Sequence, residues 1–175
     1  NHMNHFERRA MVEAISSLPL GFDYLLIDTA PGIAENVLFL NSAAQTVSVV
    51  ITPDPASFAD AYALIKVLHK QYKVNRFSIM CNQVRDEEEG LGLFKRFNDV
   101  VNKFLYIGLD YWGSVPNDVV LKKATQMQRL IVRHEIGAES SKAIRQIAAH
   151  IDKGSKQIEA GGGMQMFWDQ VVGSA

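Results

Sequence analysis

The chain has little of what several functional classes require. It carries one cysteine, Cys81, in 175 residues. An internal disulfide or a thiolate cage for a metal is therefore excluded, and a reducing compartment is expected. Its five histidines show neither HExxH nor HxH spacing. No apolar run approaches the ~18 residues of a membrane span, and no charged-then-apolar leader opens the chain, so the expected location is the cytoplasm. Neither sign of charge is in excess. Lys and Arg number 18 against 19 Asp and Glu, a net charge of −1. No global field attracts nucleic acid or anionic lipid, and any such contact must be local.

What is present is an ordinary globular composition, 47% apolar and 21% charged, with enough chain to bury a core. Asn1-His2-Met3 reads as the remnant of a cleaved tag and is set aside. Residues 4–152 read as the main domain and residues 153–163 as a flexible linker containing Gly161-Gly162-Gly163. Residues 164–175 read as a short amphipathic helix, because Met164, Phe167, Trp168, Val171 and Val172 fall at i, i+3, i+4, i+7 and i+8. Two contacts suit that stripe. One is a lipid surface, although its polar side carries Gln165, Asp169 and Gln170 without Lys or Arg. The other is a groove of its own domain or of a partner.

Within the main domain, helical and strand patterns alternate. A helix is predicted from Phe6 to Leu18, ended by Pro19-Leu20-Gly21. The run from Phe22 to Asp28 (FDYLLID) is short and almost continuously apolar, the pattern of a buried parallel strand. Further strands are expected over Thr46–Thr52, Arg76–Val84 and Leu109–Val115. Helices are expected over Ala34–Ser42, from a Ser57 N-cap to Tyr72, over Leu91–Phe104 with Phe94, Phe97, Val101 and Phe104 on one face, and near Val119–Gln126 and Ala138–Ile151. This alternation requires right-handed crossovers. The fold class is therefore α/β, a doubly wound, mostly parallel sheet with helices on both faces.

In such sheets ligands bind beyond the carboxyl ends of the strands, so the residues just after each run carry the candidate chemistry. Asp28-Thr29-Ala30-Pro31-Gly32 follows the first run. An aspartate at a strand tip can hold magnesium through water, and a Pro-Gly loop can bring backbone N–H to a phosphate; an Asp capping the next helix is the plainer alternative. Thr52-Pro53-Asp54-Pro55 reads as a stiffened turn. Asn82 offers an amide that both donates and accepts, as reading an adenine edge requires, and satisfying a loop backbone is its alternative. Val115-Pro116-Asn117-Asp118 can set backbone against a base or ribose, or simply start a helix. Cys81 reads as core packing. His69, His134 and His150 read as surface or interface residues, and Asp86-Glu87-Glu88-Glu89 as a solvated loop and acidic helix start.

Taken in order, FDYLLIDTAPGI, TVSVVITPDPASFADAYALIKVL, SIMCNQV and GSVPNDVVLKKATQMQRLIV resemble the MinD/ParA family of deviant Walker ATPases, and within it the flagellar number regulators. The resemblance implies a P-loop NTPase-like fold in which Asp28 is the Walker B aspartate that orders magnesium and its waters. It implies that Thr29 to Gly32, with Pro31, form a switch loop sensing the γ-phosphate. Asn82 would read adenine, and Pro116, Asn117 and Asp118 would pack on base and ribose. It further implies ATP and magnesium as cofactors of the full-length parent, a homodimer sandwiching ATP, an amphipathic membrane-binding helix at the chain's end, and the flagellar GTPase FlhF with basal-body components as partners. The family opens with a strand and a Gly-rich loop bearing two lysines, and no Gly-Lys-Ser/Thr occurs here. The expectation is therefore a C-terminal portion lacking roughly the first hundred residues of its parent, with no ATP bound and no ATPase activity of its own. The alternatives are a non-catalytic partner-binding module with a degenerate nucleotide site, and a ParA-type partition ATPase. The neutral charge and the lack of a dense Lys/Arg patch near the C-terminus argue against the latter, and against nucleic acid as a partner.

Overall fold

The computed structural model describes residues 5–17 and 22–158. Residues 1–3, read above as a tag remnant, the Gly161–Gly163 run read as part of a linker, and the stripe of Met164, Phe167, Trp168, Val171 and Val172 lie outside them. Helix α1 is His5–Ser16 and α2 is Glu35–Ser42. Strand β1 (Val47–Ile51), α3 (Pro55–Tyr72), β2 (Phe77–Val84), α4 (Glu87–Leu105) and β3 (Asp110–Pro116) then alternate. Helices α5 (Val119–Gln126), α6 (Ile131–His134) and α7 (Glu139–Ile158) follow.

The three strands form one parallel sheet in the order β1-β2-β3. Successive right-handed crossovers stepping in one direction put α3 and α4 on the same face. Their apolar stripes fill it: Ala61, Ile65 and Leu68 from α3, and Leu93, Phe97, Val101 and Leu105 from α4, packed on Val49, Ile51, Ile79 and Cys81. Phe58 meets Phe97 edge to face with ring centroids 4.7 Å apart, and burying each such large side chain is worth about 1.5–3 kcal/mol. An extra residue, Trp112, bulges β3 between Tyr111 and Gly113. Beyond the bulge, neighbouring residues face opposite helices. A Cβ on Gly113 would lie 2.8 Å from Ile147 of α7, and a Cβ on Gly90 of α4 would lie 1.8 Å from Ser114 Oγ. Glycine at both positions lets helices on either face approach the same strand, as a doubly wound α/β fold of P-loop NTPase-like type requires.

Four expectations need correction. The run from Phe22 to Asp28 is not a strand. A strand forms only where a neighbour takes its N–H and C=O groups, and among the described residues none is paired with it. The run is instead irregular chain, with Leu26 88% exposed. It is tied at Tyr24, whose hydroxyl donates to Asp152 Oδ1 of α7 at 2.8 Å. Ser57 is not the cap of α3. Asp54 is, with its carboxylate accepting from Ala56 N at 2.7 Å, while Ser57 Oγ accepts from Thr52 N. Phe104 does not join the buried face of α4, because the final turn gives the inward position to Leu105 and leaves Phe104 56% exposed. Helix α7 continues to Ile158, six residues into the stretch read as linker.

Candidate functional site

The carboxyl ends of β2 and β3 meet in a corner built almost wholly from backbone and short polar side chains. Asn82 is half-buried near the end of β2, paired in register with Val115. The ladder slips immediately after it, and Gln83 occupies the left-handed region at φ 58°. A non-glycine residue held there costs about 1–3 kcal/mol and persists only where its surroundings fix it, and such outliers gather at ligand sites. Here the bulge aims the Gln83 N–H at Asn82 Oδ1, 2.9 Å away. Because a backbone N–H donates, the facing atom is the amide oxygen. Asn82 therefore keeps both Nδ2 hydrogens and one Oδ1 lone pair without a partner among the described residues.

The ladder resumes across the corner. Val84 pairs with Pro116, and Asn117 N donates to Val84 O at 2.8 Å. Asp118 then caps α5, accepting from Val120 N at 2.7 Å. Its other oxygen accepts from Ser140 Oγ at 2.7 Å and Ser140 N at 3.3 Å, which pins the start of α7 to the strand tips. The Ser140 hydroxyl, with the backbone N–H groups, holds the Asp118 carboxyl below the usual carboxylate range. Ser140 is fully buried. Its part was not read from sequence, because the only signal is a serine beside a helix start 22 residues away. Below the corner, burial pushes the Cys81 thiol up to about 12, so it is an unreactive core group. Asp86 caps α4, accepting from Glu89 N at 2.8 Å, with Glu87 to Glu89 in the first turn.

Asn82, Pro116, Asn117 and Asp118 thus come together. The other candidates do not join them. Asp28, Thr29, Pro31 and Gly32 lie in irregular chain leading into α2. Asp28, Pro31 and Gly32 are exposed, and Gly32 has φ 103°. Among the described residues no hydrogen bond or ion pair links them to the corner, and no three His, Cys, Asp or Glu side chains gather as a metal site. A groove of about 550 Å³ opens beside the β1 tip, between Pro53 and Phe58 of the α3 start and Leu93 and Arg96 of α4. Neither Asn82 nor Asp118 lines it.

The corner can offer an amide edge and exposed backbone to a planar base. It contains no cluster of cations for a triphosphate. No family model matches the chain. It is similar to the antiactivator FleN of Pseudomonas aeruginosa, 31% identical over 171 residues, which is 98% of this chain and 61% of that protein. It is also similar to the flagellum site-determining protein YlxH of Helicobacter pylori, 30% identical over 127 residues, 72% of this chain and 42% of that protein. The chain spans less than two thirds of either relative.

Proposed function

Given that the chain belongs to the MinD/ParA family, among the flagellar number regulators related to FleN and YlxH, we propose that it is the C-terminal part of an ATP-dependent switch setting flagellar number or placement. The observation that carries the nucleotide half of this reading is the corner at the sheet's carboxyl end. There Asn82 presents an unsatisfied amide edge, and Pro116 to Asp118 form the adjoining wall. An amide that donates and accepts side by side matches the N6 and N7 edge of adenine. The flagellar half is supported by the printed roles of the two relatives.

The residues fit the base end of ATP and not its phosphate end. Among the described residues nothing cradles phosphate. Asp28, the candidate for ordering magnesium, stands exposed and away from the corner. In the full-length protein, magnesium and the phosphates would supply the charge that Asp28 and the Thr29–Gly32 loop respond to. This chain's own residues position the base and brace α5 and α7 behind it. The homodimer, FlhF and basal-body components enter on resemblance.

The test is a pair of assays. This chain alone is expected to show no magnesium-dependent ATP turnover, whereas the full-length protein is expected to hydrolyse ATP and to lose that activity with Asp28→Ala. Turnover by the isolated chain that Asp28→Ala abolishes, or a full-length protein that neither binds nor hydrolyses ATP, contradicts the reading. The second result would favour a partner-binding module.

A further inference from the structure

We propose that α5, α6 and the turns on either side of α6 form a docking face for an acidic amphipathic segment of a partner protein, a helix that sets carboxylates around an apolar stripe. This goes beyond the nucleotide reading and does not depend on it. The stretch from Val119 to His134 holds Lys122, Lys123, Arg129 and Arg133 and no Asp or Glu, in a chain whose net charge is −1. All four cations are exposed, and among the described residues none is in an ion pair. Aliphatic side chains stand among them. Val119 is 74% exposed, Leu130 62% and Ile136 63%, and Val120 and Met127 are exposed as well.

Complementing the helix dipoles accounts for Lys123 and Arg133, which lie in the last turns of α5 and α6. It does not account for Lys122 and Arg129, nor for the exposed aliphatic side chains beside them. On α5, Val119, Lys122, Lys123 and Gln126 recur at i, i+3, i+4 and i+7, opposite half-buried Leu121 and buried Ala124, so cations and valine share the outward face. That face is held in place. Asp118 caps α5 and ties it to Ser140 of α7. At the other end of α5, Gln128 occupies the left-handed region at φ 55°, and Arg129 N donates to Ala124 O at 2.9 Å. Helix α6 packs against both α5 and α7, and beyond it the Arg145 guanidinium of α7 donates to Ile136 O at 2.6 Å. A partner therefore meets a backbone that is already ordered, which lowers the cost of binding.

The class of occupant follows from charge and from what the face lacks. Four cations without a carboxylate among them are complementary to an anionic partner. A nucleic-acid backbone would neutralise the cations and leave the exposed valine, leucine and isoleucine side chains uncovered. Residues 119–136 contain no Trp, Tyr or Phe, the rings that mark a lipid interface. An amphipathic helix with an acidic border satisfies both halves of the face, apolar against apolar and carboxylate against cation.

The probe is a fluorescent synthetic helix with Leu at i, i+3, i+4 and i+7 and Glu along both borders of that stripe, titrated into the full 175-residue chain. Binding that weakens as salt rises is expected, together with slowed amide exchange over residues 119–136. Lys122→Glu combined with Arg129→Glu should weaken binding about tenfold or more. Leu130→Ser with Ile136→Ser, which leaves the charges in place, should weaken it by a similar factor, as should scrambling the peptide so that its composition is kept and its stripe is lost. Unchanged circular dichroism melts keep either variant's loss from being one of folding. No binding overturns the proposal, as does equal binding of the scrambled peptide or protection confined to residues outside 119–136. A DNA duplex that binds the parent more tightly than the peptide, and is lost on charge reversal, would assign the face to nucleic acid instead. Self-association of the parent that charge reversal abolishes would assign it to a second copy of the chain, which also overturns the proposal.

Discussion

Two stretches carry the same kind of sequence signal and fold differently. FSIMCNQV and FDYLLID are both short, largely apolar runs with a polar residue at or near the carboxyl end and a turn beyond. The first is β2, central in the sheet, with Ile79 and Cys81 fully buried. The second is irregular chain with Leu26 and Tyr24 exposed. Composition does not separate them; neighbours do. β2 has a strand on each side and a helix on each face of the sheet it belongs to, whereas the residues around Asp28 pair with no strand among the described residues and are tied to α7 through Tyr24. The candidate chemistry divides the same way. Asn82 is aimed by the bulge at Gln83, and Asp28 is aimed by nothing among the described residues. A polar residue at the end of an apolar run is held in a fixed geometry only where the strand that carries it is paired.

The largest expected effects sharpen this contrast in the core. Ile79→Ala should cost about 2–5 kcal/mol because the cavity is enclosed on both sides. Leu26→Ala should change stability by less than about 0.5 kcal/mol, as exposed positions do. Urea unfolding of the two variants measures both, and equal costs would mean the Phe22–Asp28 run is packed in solution. Gly90→Ala comes next. Its Cβ would sit inside contact distance of Ser114 Oγ, so a loss of about 1–3 kcal/mol is expected from the forced separation of α4 and β3. A melting temperature at or above the parent's would show that Ser114 simply turns away.

At the corner, Asp118→Ala removes a helix cap and the anchor of α7 together, for about 1–2 kcal/mol. Ser140→Ala should add little on that background, because the hydroxyl it removes donates to that same carboxylate. Additive losses in a double-mutant cycle would break the link. The same carboxylate has a sign that acid titration can check. Its folded pKa is lowered, so its contribution is present above the unfolded value near ~4 and is lost as pH falls through the folded value. The Asp118→Asn protein should therefore lose less stability than the parent in that window. The smallest effect is chemical. With its pKa near 12, Cys81 is protonated and buried at neutral pH. A thiol reagent should label it only at the rate of global unfolding, and rapid labelling of folded protein would contradict the packing described here.

Much of this was legible in the sequence for one reason. Periodicity is local, and β1 to β3 and α2 to α5 each show their own. Asn82 and Pro116 to Asp118 could be named because the carboxyl ends of parallel strands converge by topology. What stayed hidden depends on distant or unpatterned contacts. The left-handed Gln83 carries no glycine to announce it. Ser140 finds Asp118 across two helices, and the fate of Phe22–Asp28 rests on pairing rather than composition. Phe104 was misassigned because a helical stripe drifts by the last turn, and Leu105 was as well placed to turn inward.

The most direct test of the account is a titration of the full-length protein with ATP and with GTP, in the parent and in Asn82→Asp. An amide matches adenine by donating and accepting together, and a carboxylate can only accept. The account predicts that the parent prefers ATP and that Asn82→Asp loses most of this preference while its fold and melting point hold. An unchanged preference for ATP in Asn82→Asp would contradict it and would place the base elsewhere.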